Sequence, residues 1–265
     1  MRTTHWLAAA LLGLALTGLA GATTAPTPEA RQALAPTGQL RVALLLGSPT
    51  HAIKDAAGDM KGVGFDLGKE LARRMGVPFV PILYPSIPAL LDSGKAGEWD
   101  ITFIGITAGR AKDFDFAPSH LEVEFGYLVP AGSPITTMAE VDRPGVRVAL
   151  QERSGPDVFF SPLLKNVVLV RAPSNPDTLD LLKSGKADVM ASIKPILFEL
   201  SSQLPGSRVL DDRAGIDPHG MAMQKGRGAG AAYGREFIES AKSEGLVKAA
   251  IERVGMRGAL VGKGH

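Results

Sequence analysis

Apolar and polar positions fall in short blocks along the chain, and the blocks switch between two periods. Residues 40–46 form a nearly continuous apolar run interrupted only by Arg41, the pattern of a strand covered on both faces. A helix opens at Gly64-Phe65-Asp66-Leu67, with Leu67, Leu71 and Met75 four residues apart, and Gly76 followed by Pro78 stops it. Residues 78–83 predict a second strand, 87–93 a helix and 100–104 a third strand. Strand, helix, strand, helix, strand implies a parallel α/β sheet.

The same grammar restarts further on. Residues 146–150, 167–170 and 188–191 predict strands, separated by helices over 154–160 and 177–183. Leu90-Leu91-Asp92-Ser93-Gly94-Lys95-Ala96 returns as Leu181-Leu182-Lys183-Ser184-Gly185-Lys186-Ala187, 91 positions later. Both copies read as helix ends with a glycine placed for a left-handed cap and a strand to follow. We take the echo as shared architecture and not as duplication. Beyond Pro218, residues 219–224 suggest a short strand, 231–243 a long amphipathic helix and 246–254 a final helix. Two α/β lobes, with the tail returning to the first, is the simplest arrangement.

The first residues stand outside this pattern. Residues 1–5 carry one arginine and no acid, residues 6–16 are apolar, and Ala20-Gly21-Ala22 supplies an A-x-A cleavage pattern. These are the three parts of a secretory signal peptide, and the apolar run is too short to span hydrocarbon comfortably. Cleavage is expected after Ala22. Residues 23–37, rich in Pro, Ala and Thr, read as a flexible leader.

Composition removes whole classes of chemistry. The 265 residues contain no cysteine, which excludes a disulfide framework, a thiolate nucleophile, a thiolate metal site and a cysteine-linked lipid. Twenty-nine Lys and Arg against 27 Asp and Glu give +2, with both signs interspersed, which argues against a nucleic-acid partner. A 45% hydrophobic content with 21% charged residues suits a globular chain with a real core.

Catalytic signals are thin. His51, His120, His219 and His265 show no metal-ligand spacing, and neither H-E-x-x-H nor G-x-S-x-G occurs, so no metal, cofactor or catalytic residue is expected. The glycine-rich stretch 62–69 fits neither the phosphate loop nor the dinucleotide fingerprint. A better signal lies at 100–110, where a buried strand ends at Gly105, Thr107 is placed to cap a helix, and Arg110 sits in that helix's first turn. Ligands of open α/β sheets bind beyond the carboxyl ends of strands, and an Arg fork beside helix amides receives anions. A solvated Arg110 is the competing reading. Ser154 and Gly155 form a second strand-to-helix junction, where Ser154 either meets a ligand or caps its own helix.

Gly62-Val63-Gly64-Phe65-Asp66-Leu67, Glu70-Leu71-Ala72, Ser93-Gly94-Lys95, Asp100, Ile106-Thr107, Arg110-Ala111-Lys112 and Phe114-Asp115-Phe116 run in an order that resembles family 3 solute-binding proteins. These are extracytoplasmic receptors of polar amino-acid ABC importers; residues 148–154 and 184–188 resemble their second lobe, and the likeness covers 40–258. The resemblance implies a type II periplasmic-binding fold: two lobes, two hinge crossings near 122–124 and 216–217, and ligand held between. Lobe 1 would be 38–122 with 217–265, and lobe 2 would be 123–216. Arg110 would clamp the ligand carboxylate, with Gly105 and Thr107 beside it, Ser154 and Gly155 gripping from the second lobe, and Ser48 to His51 shaping the pocket.

One departure affects specificity. Where amino-acid binders of the family place an acid for the ammonium, this chain has Ile193, flanked by Ser192 and Lys194. Either another acid substitutes, or the solute is a small carboxylate or other anion, with Lys194 as a second contact; Lys194 on an exposed helix start is the competing reading. The implied protein is a non-enzymatic monomer, free in the periplasm, that delivers a small polar solute to a membrane-embedded ABC permease. The rival is a dehydratase-like enzyme acting on a prephenate-like acid, which would need a general acid that the sequence does not point to.

Overall fold

In the computed structural model, which describes residues 25–55 and 57–263, two parallel three-stranded units are joined through long antiparallel strands. The chain opens with α1 (Pro28–Leu34), β1 (Leu40–Leu45), the hairpin of β2 (Ile53–Lys54) and β3 (Met60–Lys61), α2 (Val63–Met75), β4 (Phe79–Tyr84), α3 (Ile87–Lys95) and β5 (Ile101–Gly105). A single helical turn, α4 (Arg110–Asp113), leads into the 16-residue β6 (Phe114–Val129). The second unit holds β7 (Arg147–Gln151), α5 (Gly155–Phe160), β8 (Val168–Ala172), α6 (Asn175–Lys183), β9 (Val189–Ile193), α7 (Lys194–Ser201) and β10 (Arg208–Val209). The chain returns along β11 (Gly215–Gln224) and ends with α8 (Gly228–Ser243), α9 (Leu246–Arg253) and β12 (Ala259–Val261).

The sheet order is β4-β1-β5-β11-β6-β9-β7-β8, with β1 parallel to β4 and β5, and β7 parallel to β8 and β9. The first part of β6 pairs with β11, and its last part, Phe125 to Leu128, pairs with β9. Between them, Glu122 to Glu124 lies against Ile216 to Pro218, while β12 lines the other side of β6 at Leu121 to Val123. These two stretches therefore run side by side in one ladder.

Burial explains the nearly continuous apolar run of β1. Leu40, Val42 and Leu44 face one core with Leu67, Leu71, Phe103 and Phe237, while Ala43 and Leu45 face another with Leu90, Trp99 and Ile104. The second unit has its own core around Val148, Leu150, Phe160, Leu179, Val189 and Leu197. Ile251 and Met256 of the tail pack against the cores of both units.

The repeated helix-stop motif belongs to a larger shared device. Arg41 clasps Asp100 through its backbone N–H, Nε and Nη2, and Nη2 also donates to the Gly97 carbonyl. Arg147 clasps Asp188 through its backbone N–H, Nε and Nη2, and its Nη1 donates to the Gly185 carbonyl. In each unit an arginine at the start of the first strand ties the helix-to-strand turn to the third strand.

The signal-peptide stretch 1–22 lies outside the described residues, and two other expectations change. The leader is not a bare tether: Thr27 caps α1, whose Ala30 and Leu34 are buried, and Leu34 packs on α8 at Gly230. The strand expected at 219–224 begins earlier and runs through Pro218, which donates nothing to the ladder but accepts the Ile106 N–H at 2.7 Å.

Candidate functional site

The carboxyl ends of β1, β5 and β7 converge with β11 around a cavity holding about 380 Å³ of space, part of it open to solvent. Ser48, Thr50 and His51 enter from the loop after β1, which is fixed because α2 uses it as a cap. The amides of Val63, Gly64 and Phe65 donate to the carbonyls of Pro49, Thr50 and His51. Those helix donors are thereby occupied, consistent with a glycine-rich stretch that fits no phosphate loop. Gly62, at φ 155°, is where the chain passes the His51 carbonyl so closely that a Cβ would overlap it. The hydroxyls of Ser48 and Thr50 bond to each other at 2.8 Å.

Arg110 is the buried cation of the cavity, 7% exposed at the start of α4. Thr107 does not line the cavity; its hydroxyl accepts the Arg110 backbone N–H at 3.2 Å and so fixes where the arginine begins. The guanidinium donates to the Gly105 carbonyl at 2.8 Å and to the Arg153 carbonyl of the second unit at 3.1 Å. Burial pushes Arg110 below its ordinary pKa, and Asp217 acts in the opposite sense.

Arg153 adopts a left-handed φ of 57°, and its side chain grips Asp92 of α3 with two bonds of 2.8 and 2.9 Å. The junction 153–155 is thus tied to the first unit by a main-chain carbonyl and an exposed ion pair, the latter worth little by itself. Ser154 caps α5: its oxygen accepts the Asp157 N–H, and its hydroxyl donates to the Gln151 carbonyl at 2.6 Å. It lines the cavity with Gly155 while filling this capping role.

Of the expected residues, the fold brings Ser48, His51, Gly105, Arg110, Ser154, Gly155 and Ile193 to the cavity. Lys194 is placed elsewhere. Its ammonium donates to Glu124 and to the Asp211 carbonyl, both at 2.8 Å, and its stem covers Gly126 and Gly258. The reading of Lys194 as a second solute contact is therefore corrected: it neutralises a glutamate on the crossing strand. Lys194→Ala should lower stability by about 1–2 kcal/mol, because partly buried Glu124 keeps only the longer contact to Arg213, at 3.9 Å. Solute affinity should change less than about threefold, since no cavity contact is lost. Urea unfolding and calorimetry on the same variant check both halves.

Sequence reasoning missed Asp217 and His219 as lining residues, together with Gln151, Asn175 and Ser192, while Thr50 falls in the expected stretch Ser48 to His51. Asp217 Oδ2 lies 3.1 Å from His219 Nε2, which donates to it. Both carboxylate oxygens stand where side chains on Gly105 and Gly155 would begin, each 2.6 Å from a Cβ built there. The one sequence signal pointing towards Asp217 is Ile193, whose apolar side chain leaves open that another acid substitutes there.

Burial, with His219 and Arg110 nearby, depresses the His51 pKa from 6.5 to about 3, so this ring is neutral at neutral pH. His120, buried edge-on against Phe103, is pushed in the same direction. The unfolded chain then binds more protons than the folded one below pH 6.5. Stability should fall with acidification from pH 6.5 towards 3, by about 1.4 kcal/mol per pH unit for each such histidine. Below about pH 4.5 the lowered Glu70 and Glu140 add to the loss as they protonate. Urea midpoints between pH 7.5 and 5 test this; a flat profile would contradict the neutral burial of these rings.

Among the described residues no group of three or more His, Asp and Glu is arranged to hold a metal, and no helix is long and apolar enough to cross a membrane.

Known proteins place this geometry. A solved receptor for L-cysteine from Neisseria gonorrhoeae superposes with a TM-score of 0.74 at 24% identity, covering 84% of this chain and 92% of that one. The amino-acid ABC transporter substrate-binding protein AbpA of Streptococcus pneumoniae, bound to L-arginine, gives 0.74 at 24%, covering 84% and 97%. The ancestral amino acid-binding protein AncCDT-1, a precursor of cyclohexadienyl dehydratase, gives 0.71 at 22%, covering 84% and 97%. No curated protein shows significant sequence similarity to the chain. The fold is the two-lobed type II periplasmic-binding fold, and the profile of bacterial extracellular solute-binding proteins, family 3, matches residues 40–253: the chain belongs to that family.

Proposed function

We propose that this protein is the exported receptor of an ABC importer, closing two lobes around a small carboxylate-bearing solute and presenting it to a membrane permease. The observation that carries this reading is Arg110, a buried guanidinium at a strand end that reaches a carbonyl of each unit across the cavity. A planar fork at the wall of a cleft suits a carboxylate. Residues 38–122 and 217–265 act as one lobe, now with α1 attached, and 123–216 as the other, hinged at the paired stretches of β6 and β11. Residues 1–22 serve as the export signal, delivering the chain to the periplasm.

The structural neighbours described as binding L-cysteine and L-arginine support an amino-acid or related solute. A dehydratase-like enzyme is the second reading, because the Asp217–His219 pair supplies the acid-base group that the sequence did not offer. A thermal-shift screen of the chain from Thr23 onward against amino acids, organic acids and prephenate separates the two. A receptor ligand at 100 times its Kd should raise the melting point by about 5 °C and be recovered unchanged. Conversion of a stabilising acid would favour the enzyme, and no stabilisation by any compound would count against the receptor.

A further inference from the structure

The charges lining the cavity do not make an anion receptor. Arg110 brings one guanidinium, Asp217 brings one carboxylate to the same space, and Lys194 is spent on Glu124 outside it. A solute that is only a carboxylate would leave two buried anions facing one arginine, with His51 neutral beside them. Uncompensated charge in a cavity of this kind is strongly disfavoured.

Asp217 is also short of partners. A carboxylate accepts about four hydrogen bonds, and among the described residues a single donor, His219, reaches this one. It is 5% exposed, so bulk water does little to make up the difference. The buried Nδ1 atoms of His51 and His219, both on cavity-lining rings, have no partner among the described residues either. Unsatisfied polar atoms converging on one space call for a polar occupant.

Resting on the receptor reading above, we infer that Asp217 is the acid that holds the solute's amino group, taking over the role left vacant at Ile193, and that the solute is a small zwitterionic amino acid with an uncharged side chain. The carboxylate goes to Arg110 and the ammonium to Asp217, so the closed cavity stays electrically balanced. Among the described residues no Lys, Glu, further Arg or further Asp lines the remaining wall. It consists of Leu45, Ile87, Ile104, Ile193 and Ile196 with a few hydroxyl and amide groups. A cationic side chain would find no partner there.

The test is calorimetry on the chain from Thr23 onward with paired compounds: L-alanine against propionate, L-serine against 3-hydroxypropionate, L-valine against isovalerate, plus L-arginine and L-lysine. At least one uncharged amino acid should bind. Its amine-free partner and the two basic amino acids should bind at least about 100-fold more weakly. Asp217→Asn, close in shape, should lose about 30-fold or more for the amino acid and narrow the gap within the pair. Binding of a carboxylate as tightly as its amino-acid partner overturns the inference and leaves the receptor intact. So does an Asp217→Asn variant within about threefold of the parent. If neither paired acids nor amino acids bind the parent, the receptor reading falls and takes the inference with it. Should the variant fail to fold by circular dichroism, the paired comparison on the parent protein still decides.

Discussion

Arg110→Ala is expected to weaken solute binding by about 10²–10³-fold, the largest functional effect of any single substitution in this chain. The guanidinium is buried, sits at the end of β5 and addresses both lobes, so nothing nearby can replace it. Truncation removes the planar fork and leaves a solute carboxylate beside Asp217 without a counter-charge. Arg110→Lys keeps the charge and loses the fork, so it should recover only part of the affinity. Calorimetric titration of the three proteins with the most stabilising solute gives the comparison. A folded Arg110→Ala variant that binds like the parent would remove Arg110 from the site.

Asp100→Ala is expected to have the largest effect on stability, about 3–5 kcal/mol, while the equivalent Asp188→Ala costs about 1 kcal/mol. The two aspartates make the same clasp in the two lobes, so geometry does not separate them. Burial does. The Asp100 side chain is 0% exposed and has both Arg41 and Arg227 against it, whereas Asp188 and Arg147 are 38% and 39% exposed. Removing Asp100 takes the fully buried acceptor from two mostly buried guanidiniums and the Arg41 amide; removing Asp188 lets water replace it. Urea midpoints of the two variants measure the difference directly. Equal losses would show that solvent reaches Asp100 as freely as Asp188.

The elements read most directly from sequence are those with one consistent environment. β1, β5, β7 and β9 are buried on both sides, and their apolar runs say so. β6 was illegible because it changes environment along its length: Pro118, Ser119, His120, Glu122 and Glu124 interrupt its pattern. Their neighbours come from β11, β12 and the second lobe. The site divides in the same way. Gly105 and Arg110 follow a buried strand locally, so strand-end reasoning finds them.

Lys194 was misread because Glu124, seventy positions earlier, neutralises it, and Asp217 was overlooked because an antiparallel return strand carries it there from beyond the second lobe. Local pattern locates a strand end. It does not report which distant charge folds against it.

The proposed receptor should hold one solute between its lobes through Arg110. A crystal structure of the chain with the compound that raises its melting point most tests this directly. The solute should lie in the cavity between the two lobes with its carboxylate on the Arg110 guanidinium. Electron density for the compound anywhere outside that cavity, with Arg110 still bonded only to the Gly105 and Arg153 carbonyls, would contradict the account.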